Sequence, residues 1–151
     1  MNKSDFTYPG AFVLIQLHEK HMRSFVETWK KAKERNVILP ETDDPDYESL
    51  DKLLLHLLRS SRGYITWICE KLGLPDPKIN PETTIHNIDT ELDDYLNYLL
   101  EKWQTPLMNV EKENFWYPVY KTKWGPEFGI EAMLEHAVMH PIRHHYQLER
   151  L

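Results

Sequence analysis

At 151 residues the chain has room for a single domain, residues 1–151, that folds away about 70% of its unfolded surface. A hydrophobic content of 41% argues against disorder, and a net charge of −6 argues against a nucleic-acid partner, since neutralising phosphates takes clustered Lys and Arg. The lone cysteine, Cys69, sits in an apolar helical pattern, excludes a disulfide framework and reads as a small core residue.

No apolar run approaches the ~20 residues of a membrane span, and MNKSDFTYPG lacks the features of a cleavable signal. The chain therefore reads as a soluble, cytoplasmic protein with no membrane partner. The first helical pattern runs from Ala11 to Glu34, with Ile15, Met22, Phe25, Val26 and Trp29 at helical spacing. Its basic end (Lys30, Lys31, Lys33, Arg35) reads as a solvated helix terminus complementing the dipole. His18 and His21, flanked by Glu19 and Lys20, read as a partly solvated face.

A Pro- and Asp-rich loop leads into a second helix over Tyr47–Leu72, closed by Gly73 and by Pro75 and Pro77. A long connection, LPDPKINPETTIHNID, follows, and His86 within it reads as exposed. The third helix starts near Asp89 as its N-cap and aligns Leu92, Tyr95, Leu96, Leu99, Leu100 and Trp103, with Pro106 as its stop. The aromatic stretch 115–128 allows a short hairpin that Pro118 and Pro126 confine to edge strands, and it reads as a cap on one end of the molecule rather than a lid. A fourth helix begins between Pro126 and Ile130 and runs to the C-terminus.

Four amphipathic helices without a convincing sheet predict an all-α four-helix bundle. The long second connection permits the second and third helices to run parallel, an up-down-down-up topology with a crossover between them.

The last helix carries His136, His140 and His144 on one face, with His145 beside them. Side chains four apart stand about 6 Å from one another, close enough for two imidazoles to share a metal at about 2.1 Å each. The pairs His136–His140 and His140–His144 have identical spacing, so periodicity leaves both open. In the second helix Leu53, His56, Ser60, Gly63 and Trp67 share one stripe, and the small residues after His56 leave space beside it, as in a helix lining a pocket. One facing histidine plus an i, i+4 pair makes a three-nitrogen site with a position open for water or substrate. Pro141, inside the fourth helix, removes the bond to the Ala137 carbonyl and suggests a kink or widened turn after His140. Arg59, Arg62 and Arg143 read as surface ion-pair partners, with carboxylate recognition as the alternative.

The segment His140-Pro-Ile-Arg-His144-His145-Tyr-Gln147, together with His56 midway along the second helix, resembles the DinB/YfiT-like metal-binding four-helix bundles. The resemblance spans the whole chain, including the long second connection. It implies His56, His140 and His144 as ligands of a divalent metal, zinc or nickel, and leaves His136 and His145 outside the ligand set. It also places Gln147 beside the last ligand. On the residues' own pattern His136 reads as a rim residue able to contact substrate, and Ser60, Gly63 and Trp67 read as pocket residues beside His56. Where that pattern often has Arg-Gly between the last ligand and the Gln, this chain has His145 and Tyr146.

Members of that family often dimerise, so the resemblance also implies a homodimer. Some are S-transferases that use a low-molecular-weight thiol as cosubstrate. The expectation is therefore a metal-dependent enzyme of the thiol S-transferase type acting on a small-molecule substrate. A metal-dependent hydrolase and a non-catalytic metal-binding or interaction bundle stand as alternatives.

Overall fold

The structure, a computed structural model, describes residues 1–151. Four helices account for most of the chain: α1 (Pro9–Glu34), α2 (Leu50–Lys71), α3 (Ile88–Trp103) and α4 (Ile130–Glu149). Two short strands, β1 (Tyr120–Lys121) and β2 (Glu127–Phe128), form an antiparallel hairpin before α4.

The helix ends follow from local chemistry. α1 opens on Pro9, whose missing N–H is one of the orphan donors of a first turn. It closes through Asn36, which takes a left-handed φ of 54° while Val37 N–H bonds back to the Ala32 carbonyl. α2 begins at Leu50 rather than Tyr47, because Pro45–Tyr47 forms a separate 3-10 turn capped by Asp44, and Ser49 then caps α2 by accepting from Lys52 N–H at 3.1 Å. Gly73, at φ +65°, ends α2 as expected, with Leu74 N–H bonded to the Cys69 carbonyl. The N-cap of α3 is Asn87, two residues before the expected Asp89. Asp89 instead enriches the first turn with negative charge.

Directions follow from paired contacts. Along α1 and α2, His18 meets Ser61 and Trp29 meets the Leu50 carbonyl, so these two helices are antiparallel. Along α1 and α3, Arg23 meets Asn97, Lys30 meets Asp93 and Lys33 meets Asp89, again antiparallel. α2 and α4 also oppose one another, with His56 against His140 and His144 and Tyr64 against His136. The N-termini of α1 and α4 are joined by Tyr8 O–H donating to Glu131 at 2.6 Å.

The stripes converge on one core that includes Phe25, Leu54, Leu58, Ile65, Leu99 and Trp103. Burying each of the larger aliphatic or aromatic side chains contributes about 1.5–3 kcal/mol. Cys69 is fully buried among them, and burial pushes its thiol up to about 11, which suits packing rather than nucleophilic work.

His18 corrects the sequence reading. It is buried, not partly solvated, and stacks on Trp103 with ring centroids 3.9 Å apart. The aromatic stretch divides. Phe115 enters the core as expected of a cap, whereas the hairpin turn carries Trp124 onto the face of His136 at 5.3 Å, in the wall of a cavity between α2 and α4. Gly129, the N-cap of α4, is held by close approach: a Cβ there would stand 3.0 Å from the Trp116 carbonyl oxygen.

Candidate metal centre

His56 projects from the first third of α2 toward α4, where His140 and His144 stand one turn apart. The Nε2 atoms of His56 and His140 are 3.0 Å apart, and those of His144 and His140 are 3.1 Å apart. One ligand nitrogen from each of the three lies within 4.8 Å of the others, a cluster that could hold a metal ion. Two nitrogens bound at about 2.1 Å in tetrahedral geometry stand about 3.4 Å apart, so the observed separations are close to those of a shared ion. α4 continues as a helix through Pro141, which is itself buried.

The outer nitrogens decide which way the lone pairs face. Gln147 Oε1 lies 2.8 Å from His144 Nδ1, so that nitrogen donates and Nε2 presents its lone pair inward. On His56, Nδ1 lies 2.9 Å from Asp46 Oδ2, although the approach falls short of an aligned hydrogen bond. A carboxylate only accepts, so the proton belongs on Nδ1 and the His56 Nε2 lone pair also faces inward. His140 Nδ1 pairs with the Tyr64 hydroxyl at 3.1 Å. Neutral imidazole has one N–H, so His140 Nε2 can donate to one of its two neighbours at most. At least one of the two Nε2 contacts therefore has no proton directed along it, and a cation at the convergence point would satisfy all three inward nitrogens. The donor set fits a divalent metal on that ground.

Electrostatics keep the histidines neutral, the form that ligates metals. Burial, reinforced by the neighbouring imidazoles and Arg143, pushes His140 down to about 2. Burial likewise lowers His144, to about 4, against the opposing effect of its hydrogen bond to Gln147. His56 is lowered by burial, with Asp46 pulling in the other direction.

A cavity of about 490 Å³ opens above the histidines. Ser60, Gly63 and Trp67 line it, as does His136. His136 belongs to the wall rather than the cluster, held between Trp124, Phe128 and Tyr64 at centroid distances of 5.3–5.7 Å. His145 turns away to pair with Glu149 at 3.0 Å. Arg59 grips both Asp46 oxygens at 2.9 Å and Arg62 reaches the buried Glu82 at 3.2 Å, whereas Arg143 faces the cavity.

Asp46, Tyr47 and Tyr64 are participants that the sequence reading missed. Asp46 and Tyr47 come from the 3-10 turn before α2, where no periodic pattern announces them. The Tyr47 hydroxyl stands 3.4 and 3.5 Å from the two nitrogens of His144, at the inner edge of the cavity. Tyr64 carried a signal, since it lies eight residues after His56 and so faces the same neighbour two turns on.

Comparisons with protein-family models, with curated proteins and with solved structures each find no match to this chain. No helix is long and apolar enough to cross a membrane.

Proposed function

We propose that the protein is a metal-dependent enzyme built on a DinB/YfiT-like bundle, with an open three-histidine centre for zinc or nickel and an activity of the thiol S-transferase type. The observation that carries the reading is the convergence of the His56, His140 and His144 Nε2 atoms at the base of a cavity. The pairwise helix directions support an up-down-down-up arrangement, the topology that the family resemblance implies.

A divalent ion held by the three imidazoles would supply Lewis acidity, depressing the pKa of a thiol or a water at its open position. The chain's own residues do the rest. Asp46 and Gln147 hold the tautomers and ring orientations of His56 and His144, and Tyr64 holds His140. Tyr64, Trp67, Trp124 and Met133 form apolar walls that limit water around the reacting groups.

Thiol transfer is favoured over hydrolysis by the family resemblance, since some members use a low-molecular-weight thiol. A bound ion would lower the pKa of a thiol and of a water alike, and hydrolysis commonly adds a general base, a histidine or a carboxylate. The one carboxylate in the lining, Asp44, is engaged in capping the turn before α2 by accepting from Asp46 N–H at 3.0 Å.

Metal analysis of protein purified without a histidine tag tests the centre, with about one equivalent expected and loss in His140→Ala. Less than a stoichiometric fraction, unchanged by that substitution, removes the site. Metal-loaded protein is then screened with low-molecular-weight thiols against electrophiles, and separately with esters and amides. Thiol-dependent turnover abolished in His56→Ala supports the transferase, ester or amide turnover supports the hydrolase, and stoichiometric metal without turnover leaves a binding module.

A further inference from the structure

The mouth of the cavity bears two cations that no acidic side chain neutralises. Arg143 lies one helical step of three beyond His140, and Lys123 reaches in from the hairpin turn. No carboxylate oxygen lies within 4.0 Å of either, whereas Arg59 and Arg62 are tied to Asp46 and Glu82. The lining thus holds two positive side chains against one negative, Asp44, in a chain whose net charge is −6. Beneath these cations the walls are apolar and aromatic, and about 490 Å³ accommodates a small molecule rather than a polymer segment.

We propose that the cavity takes a small organic carboxylate, its anionic end held by Arg143 and Lys123 and its apolar body lying among Tyr64, Trp67, Trp124 and Met133. This deepens the reading of the cavity as a substrate site, but it stands on the cations and not on the metal. Guanidinium presents a planar fork of donors that matches a carboxylate, and an unpaired cation at the rim of a low-dielectric cleft also steers anions inward.

The test compares 3-phenylpropanoate with its neutral amide, 3-phenylpropanamide, by calorimetry on full-length protein in metal-free and zinc-loaded forms. The carboxylate is expected to bind at least about tenfold more tightly than the amide in both forms, the scale of one charged hydrogen bond. Arg143→Gln and Lys123→Gln should each lose most of that preference, and Arg143→Lys should keep part of it. Equal binding of the two probes by metal-free protein overturns the proposal, as does absence of saturable carboxylate binding up to millimolar concentration. A preference seen only with zinc and unaffected by Arg143→Gln also overturns it, because the carboxylate is then simply ligating the ion. A preference that survives in a protein unable to retain metal upholds the carboxylate site while the metal reading fails.

Discussion

Replacing Asp46 by Asn tests whether its negative charge supports the metal centre. Asp46 Oδ2 stands 2.9 Å from His56 Nδ1, which puts its charge about 7 Å from the point where the Nε2 atoms converge, across the imidazole and one metal–nitrogen bond. A carboxylate and a dication at that distance attract by about 1 kcal/mol in water and about 5 kcal/mol at an effective dielectric constant near 20. Asp46 is 30% exposed and shares its charge with Arg59, so the lower part of that range applies. Asp46→Asn should therefore weaken zinc binding by about tenfold, within the range of about 10–100-fold found when such outer partners are removed. The assay is competition against a chromophoric chelator at neutral pH. Arg59→Gln is the matched control: it frees the carboxylate, so metal affinity should hold or rise. An Asp46→Asn affinity within about threefold of the parent refutes the reasoning. So does an Arg59→Gln variant that loses as much as Asp46→Asn, because the ion pair would then matter as scaffold and not as charge.

Three further outcomes are expected. The buried His18 is held neutral, its pKa lowered by burial to about 3, so below pH 6.5 the unfolded chain takes up a proton that the folded chain refuses. Stability should fall by about 1.4 kcal/mol per pH unit in that window. His18→Phe leaves the Ser61 hydroxyl without its partner at every pH, so urea unfolding of metal-free protein should show its deficit against the parent shifting by about 2.7 kcal/mol between pH 7 and 4.5; parallel curves exclude the account. Gly63→Ala should raise the melting temperature, with a gain of about 0.5–1 kcal/mol, because nothing lies within 4 Å of the added methyl; a fall would mean that the pocket wall is tighter than described. His136→Ala should leave metal stoichiometry intact while altering binding of aromatic probes by the cavity; loss of the metal would return His136 to the ligand set.

The helices were legible because Ile15, Met22, Phe25 and Trp29, and likewise Leu92, Leu96, Leu99 and Trp103, repeat at steps of three and four, a spacing that burial enforces. Their starts were less so, since Tyr47 continues an apolar pattern while the real start depends on the Ser49 hydroxyl reaching Lys52 N–H. His18 was misread from its neighbours in sequence, Glu19 and Lys20, which point to other faces. Its neighbours in space are set by Ile15 and Met22, three before and four after, and those were the signal.

Within the cluster, spacing offered two equivalent pairs on α4. The stacking of His136 on Trp124 is a tertiary event, with the partner supplied by a hairpin turn that carries no helical period. Asp46 was hidden for a similar reason, ten residues before His56 and on a turn of irregular backbone.

The three clustered histidines and the cations near them do not all rest on the same kind of support. His56, His140, His144 and Arg143 are carried by long helices that also supply the core, while Lys123 and Trp124 ride on a hairpin paired through two residues per strand. An insertion or exchange in residues 122–126 perturbs no core stripe, so the mouth of the cavity can drift in sequence while its floor stays the same. A bundle divided in this way can acquire new ligands by editing a few hairpin residues, without reopening the question of how the chain folds.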